Sequence, residues 1–307
     1  NLFVPPDEVH INDINQSEIK FKYNFNESRN FVKLIWKKEV YTISCMFYRC
    51  SDIKEIDFSN FDSSLITGDI GGMFNNCTSL ISIDLSYLSI SITKMHYLFY
   101  NCYSLTSIIF NNLDTSKIST MERMFNNCYS LKSINLSSFK TPELLYTHQM
   151  FENCYLLTSV DISNFNLEKV IEISGMFHNC TSLKTIKFPN SKTPELIKAG
   201  SLFRGCNSLV SVDLSNFITS KTQYMDYMFY NCKSLTSINL SNFYTSEVTW
   251  IQSMFEGCSN LQYINLQNAK QTTNNYYDYN NIFKDTPENL VICINETNVP
   301  KLAELIK

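Results

Sequence analysis

Nine cysteines stand at positions 50, 77, 102, 128, 154, 180, 206, 232 and 258 of a 307-residue chain, and from Cys102 onward the step is 26 residues each time. Thiols at such spacing could form disulfides, hold a metal, or pack as a core column. Only a repeat array keeps this interval. In a parallel stack equivalent Cβ atoms lie about 4.8 Å apart and point the same way, whereas a disulfide needs about 3.8 Å and facing vectors. A metal needs ligands converging on one point, which a linear column does not supply. The column therefore reads as buried free thiols. Cys45 and Cys293 lie off it, at opposite ends; pairing of Cys45 with Cys50, or of Cys293 with a partner beyond this segment, stays open.

The histidines offer little acid–base chemistry. His96 and His148 share one repeat phase, three residues before a Phe, where sister repeats carry Glu122, Asp226 and Gln252, so they read as a solvated helix face. His178 and His10 have no nucleophile or metal partner by spacing. The seven glycines are scattered and form no phosphate loop. The chain reads as a non-enzyme with no catalytic residue, no metal and no cofactor. Asn-x-Ser/Thr sequons stand at Asn15, Asn26, Asn76, Asn135, Asn179, Asn239 and Asn295; Asn26, on a turn predicted from Asn26-Glu27-Ser28-Arg29, is the best glycosylation candidate.

The elements that must position these groups follow from one unit, Thr245 to Ala269. Val248, Ile251, Met254 and Phe255 put four apolar side chains on one face of a short helix. Thr245 stands where an N-cap belongs, and two sister repeats read Thr141-Pro142-Glu143 and Thr193-Pro194-Glu195. Two residues after each Phe comes Asn or Gly, from Asn76 to Gly257, as a left-handed helix end requires. Leu261, Ile264 and Leu266 then mark a short strand with Ile264 and Leu266 inward. Helix plus strand, repeated about ten times, gives an α/β solenoid: a right-handed leucine-rich-repeat superhelix with a parallel β-sheet on the concave face and short helices on the convex face. The inward pairs run from Ile56/Phe58 to Ile264/Leu266, with Leu290 to Ile294 as the last strand.

Before Met46 the phase is lost, and Glu18 to Phe25 and Phe31 to Trp36 alternate like two strands. Residues 1–44 thus read as a β-rich N-terminal cap, 45–281 as the repeats, and 282–307 as a last partial repeat with a C-terminal cap, since open solenoid ends need covering.

A net charge of −4 and a pI near 5.6 give no clustered basic surface for nucleic acid or an anionic membrane. No apolar run is long enough to span a bilayer, so any membrane attachment is expected to come from an anchor outside this segment. Two surfaces remain for a partner. The outward strand residues form a concave column that includes Asp84, Asn135, Asp161, Lys187, Asp213 and Asn239, small and polar but without the aromatic or Arg groups on which strong interfaces concentrate energy. Tyr103, Tyr129 and Tyr155 follow the Cys of three successive repeats and predict a tyrosine row. That row is the second candidate after the concave column: a sticky stripe if it faces solvent, and structural if it packs under the next turn.

Met124 to Phe139 and Met228 to Ser246 carry the motif M-F-x-N-C-x-S-L-x-S-I-x-L-S-x-F-x-T-S, which resembles the BspA-like leucine-rich-repeat surface proteins over about residues 40–295. The resemblance implies an extracellular or cell-surface binding module, an adhesin or recognition domain for a protein or glycan on host or neighbouring cells. A structural component of a surface coat or filament is the alternative. The family carries no catalytic residue and no ligand-contact motif to transfer.

Overall fold

The computed structural model describes residues 5–20, 23, 30–270 and 279–306. Among these residues are ten strands and one helix, with seven of the strands in a stack of coils. The strands of the cap are β1 (Glu8–Ile11), β2 (Ile14–Asn15) and β3 (Val32–Ile35), an antiparallel sheet ordered β2-β1-β3. The strands of the coils are β4 (Ser82–Asp84), β5 (Ser107–Ile109), β6 (Ser159–Asp161), β7 (Thr185–Lys187), β8 (Ser237–Asn239), β9 (Tyr263–Asn265) and β10 (Val291–Cys293), all parallel to their neighbours. Helix α1 (Pro300–Leu305) follows.

The coil strands keep the predicted register, for example Ile83 beside Ile108 and Ile238 beside Ile264. The sheet is not continuous, however: it divides into β4-β5, β6-β7 and β8-β9-β10, and the segments at Ile56, Ile134 and Val212 are not strands. In the cap, Phe31 to Trp36 yields β3, but its partner is Glu8–Ile11 rather than the expected Glu18 to Phe25. Glu18 to Lys20 are not strand; of the rest of that segment only Tyr23 lies within the described residues, as does no part of the Asn26 turn.

The larger correction concerns the convex helices. Among the described residues α1 is the only α-helix, and every segment expected to be a repeat helix is a chain of tight turns. The hydrogen bonds show why. Around Phe151, alternate amides bond back three residues (Met150 to Thr147, Glu152 to Gln149, Cys154 to Phe151), while Thr147, Gln149, Phe151 and Asn153 each donate sideways to the next coil, at Glu172, Ser174, Met176 and His178. An α-helix satisfies its amides four residues back and has none left to share sideways. Two left-handed residues per repeat enforce the alternative: Gln149 (φ 54°) and Asn153 (φ 61°) here, two before and two after the Phe. L-residues visit this region singly and never as helix. The Asn or Gly expected two residues past the Phe is left-handed as predicted, but as one turn of a ladder rather than a helix end.

A second ladder, absent from the sequence reading, runs through Asp69, Lys94, Thr120, Tyr146, Glu172, Lys198, Tyr224 and Trp250 as unbroken parallel bridges. It joins eight coils, fewer than the roughly ten repeats counted in the sequence, although the Phe column itself passes ten rings from Phe47 to Phe283. Their centroids are 5.3 to 5.9 Å apart and the rings nearly parallel. This column, the buried Leu and Met columns and the cysteines make one continuous core.

All eleven cysteines are free. Each thiol from Cys77 to Cys258 donates to the carbonyl of the Phe one coil back, at 3.0 to 3.2 Å. Burial pushes the Cys77 and Cys258 thiols up to about 12 and those of Cys102, Cys128, Cys180 and Cys232 far above the ordinary range. Because the thiolate is the reactive form, a maleimide reagent is expected to modify only Cys45, which is exposed, and more slowly the half-buried Cys50 and Cys293. Mass spectrometry of the native chain should find no more than three labels, and eleven after unfolding.

Candidate functional site

The strand column expected on the concave face has a structural task. Asp57, Asp84, Asn135, Asp161, Asp213 and Asn239 each accept, through Oδ1, the amide two residues on, at 2.8 to 3.0 Å. This is the Asx-turn, in which a short carboxylate or amide replaces a backbone acceptor and turns the chain away from the strand. The sequence signal was present as Asp/Asn-x-Ser and was read instead as a polar surface. It also accounts for the sequons at Asn135 and Asn239, whose Ser is the residue being capped. Lys187 cannot cap; its Nζ lies 3.0 Å from Asp161 Oδ2, an exposed ion pair worth little in water.

The capping bonds hold the Asp57, Asp161 and Asp213 carboxyls below their ordinary range. The Ser163 hydroxyl and amide, with Lys187, lower Asp161 to about 2, and the Ser116 and Ser91 groups do the same for Asp114. The folded values lie below the ordinary 3.8, so this stabilisation is complete above that pH and is lost as pH falls through about 2. Thermal melts across that interval should show a falling midpoint, and Asp161→Asn should flatten part of the slope.

Sequons Asn76 and Asn179 sit in a different ladder. Asn101, Asn127, Asn153 and Asn179 each donate Nδ2 to the Asn Oδ1 of the coil before, at 2.6 to 2.9 Å, starting from Asn76. Gly205 ends the run: a Cβ there would come within 2.5 Å of Asn179 Oδ1. Asn26 lies outside the described residues.

His96 and His148, expected on a solvated helix face, are half-buried, and so is His178. Two of them pair with a carboxylate of an adjacent coil, His148 Nε2 at 3.0 Å from Glu122 and His178 Nδ1 at 2.8 Å from Glu152. Burial works against the Glu152 charge, but the bonds from His178, Asn126 and Gln149 outweigh it and hold the carboxyl below its usual range. A shallow depression of about 330 Å³ lies beside them, floored by Gly175 and Gly200 and edged by Asp226, whose carboxyl burial pushes up. No group of three or more His, Cys, Asp or Glu among the described residues is placed to hold a metal, and no helix there is long and apolar enough to cross a membrane.

The tyrosine row is where the structure adds most. Tyr103 and Tyr129 stack at 4.8 Å and 3°, Tyr129 and Tyr155 at 5.1 Å and 23°. Tyr103 and Tyr155 are 37% and 38% exposed, which makes the row a surface feature rather than one packed beneath the next turn. None of the three hydroxyls has a hydrogen-bond partner among the described residues. Leu156, 45% exposed, adjoins the row, and Tyr100 lies close enough to join Tyr103 and Tyr155 in raising the Tyr129 phenol, whose own burial is the larger cause. A run of stacked aromatic rings with free hydroxyls has the composition of a protein-interface hot spot.

The repeat sequence matches the family model for the BspA type leucine rich repeat region, in six copies over residues 146–285. A second model, described as a Mycoplasma protein of unknown function, DUF285, matches residues 7–90 and 69–190. The chain belongs to the family of that second model, which spans more than half of it, and carries a BspA-type leucine-rich-repeat region. No curated protein matches it. Among solved structures the BspA-type chain is similar to the leucine-rich-repeat protein of T. pallidum (21% identity, 62% of this chain and 69% of that one, TM-score 0.38). It is also similar to a leucine-rich cell surface protein from Faecalibacterium prausnitzii (16%, 81% and 86%, TM-score 0.34). A third is the functional domain of InlJ from Listeria monocytogenes, described as including a cysteine ladder (15%, 71% and 47%, TM-score 0.32).

Proposed function

We propose that the chain is a surface-displayed recognition module of adhesin type, and that it engages a protein partner through the tyrosine row rather than through the strand column. The observation that carries this reading is the row itself: three stacked rings, the outer two exposed and Tyr129 half-buried between them, with three hydroxyls that no group among the described residues satisfies. Family membership supports a surface or interaction role, since repeat arrays of this kind offer one long face per stack to a partner. The strand column supports it by contrast, because one oxygen of each of Asp84, Asp161 and Asp213 is already used on the chain's own turns.

Fluorescently labelled chain, applied to a panel of host and microbial cells that includes cells displaying the chain itself, with and without protease treatment, tests the proposal. Saturable binding that protease removes is the expected result. Binding that survives protease but is lost with glycosidases would replace the protein partner with a glycan, and absence of binding across the panel would overturn the adhesin reading.

A further inference from the structure

We infer that the partner of the tyrosine row is a second copy of this chain, paired row against row about a two-fold axis, so that the module acts in homotypic contact between the surfaces that carry it. The inference rests on the row being a binding surface and names its occupant.

The stacking geometry narrows the choice. Because Tyr129 is sandwiched at 4.8 and 5.1 Å, its two faces are consumed by its neighbours. Sugar rings dock on aromatic faces, and here only the outer faces of Tyr103 and Tyr155 are left, above Thr78 and Thr181. What the row presents along its length is a line of ring edges and phenol hydroxyls spaced by one coil, close to the strand repeat of about 4.8 Å. A globular partner has no reason to place complementary groups on that period. A side-chain column of another parallel solenoid has it by construction, and this row is such a column.

Self-pairing also satisfies the chemistry of the groups. A hydroxyl both donates and accepts, so identical hydroxyls can bond one another across a two-fold axis, where Tyr129 meets Tyr129 and Tyr103 meets Tyr155. The row is uncharged, and burial together with the adjacent phenols raises Tyr129 further from ionising. The strand column could not pair with itself in this way, because Asp57, Asp84, Asp161 and Asp213 would oppose like charges. A fully buried Tyr contributes about 150–250 Å² and a stable interface needs about 1,200 Å² in total, so three partly covered rings and Leu156 make a weak contact. Its use is therefore on surfaces that carry many copies, where avidity multiplies a weak pairing by about 10²-fold or more.

Beads coated with the chain test this directly. Wild-type beads should cluster. Tyr129→Lys beads alone and Tyr129→Glu beads alone should each cluster at least tenfold less, because like charges meet on the axis, and a mixture of the two should recover clustering. Circular dichroism of each variant confirms the fold, which half-buried Tyr129 does not anchor as the core Phe column does. Wild-type beads that remain dispersed at every coating density, or clustering that survives both variants, would overturn the inference. Tyrosine-dependent binding to foreign cells without bead clustering would also overturn it, while leaving the recognition reading in place; binding to glycan-coated beads only would overturn both.

Discussion

Phe151→Ala should cost about 4 kcal/mol and be among the most destabilising single changes in the chain. Phe151 is fully buried, with Phe125 on one side at 5.3 Å and Phe177 on the other at 5.6 Å. Truncating a buried Phe costs about 3–5 kcal/mol through lost transfer energy and the cavity left behind. Two ring contacts vanish with it, each worth about 0.5–1.5 kcal/mol beyond area. Little can relax to fill the gap, because the backbone on both sides is pinned by the lateral bonds of Gln149, Phe151 and Asn153. In a solenoid each coil touches only its neighbours, so the loss also uncouples the coils before Phe151 from those after it. Urea unfolding should show a lower midpoint and a broadened or split transition. Phe151→Leu, which keeps most of the volume, should cost less than half as much.

Ser201 gives the second large effect. Its φ is 57°, its amide donates 2.7 Å to the Asp226 carbonyl, and no side-chain bond depends on its hydroxyl. Ser201→Val forces a β-branched residue into the left-handed region, at a cost of about 1–3 kcal/mol. Ser201→Gly should be neutral or slightly stabilising, because Gly takes this conformation freely and the equivalent positions of two other coils are already Gly72 and Gly175. A helix would reverse the order: Val is tolerated in a helix interior, while Gly costs about 1 kcal/mol. Differential scanning calorimetry of the two variants separates these outcomes.

The ambiguity that Ser201 resolves explains what was legible in the sequence. The columns of Phe, Cys and Leu, and the inward strand residues, follow from period and hydrophobicity alone, and the coils form around them. Val248, Ile251, Met254 and Phe255 sit at spacings that a helix and a chain of three-residue turns both accept, so apolar pattern could not choose between them. Gly72, Gly175 and Asn281, two residues before their Phe, were the signal for a second left-handed position, but Tyr97, Arg123, Gln149 and Tyr227 at the same phase masked it. These residues adopt a costly conformation because the lateral hydrogen bonds repay it. The second ladder was invisible for a related reason. Asp69, Lys94, Tyr146 and Trp250 have no side-chain property in common, since their shared role is carried by backbone.

Of the candidate site, the sequence named both surfaces but put the strand column first and the tyrosine row second. Asp84, Asp161 and Asp213 were visible as an exposed column, and only the bonds to Ser86, Ser163 and Ser215 show that one oxygen of each serves the turn. The stacking of Tyr103, Tyr129 and Tyr155 followed from the interval between coils. Their exposure did not, because it depends on the smallness of Thr78 and Thr181 and on the path of the turns around them.

The central claim, that recognition resides in the tyrosine row and not in the strand carboxylates, is tested most directly by one binding measurement on two triple variants. Tyr103, Tyr129 and Tyr155 are changed to Ser in one, and Asp84, Asp161 and Asp213 to Ser in the other, and each labelled chain is titrated onto cells that bind the wild type. The account predicts at least a tenfold loss of binding for the tyrosine variant and little change for the aspartate variant. Binding lost with the aspartates and retained without the tyrosines would contradict it.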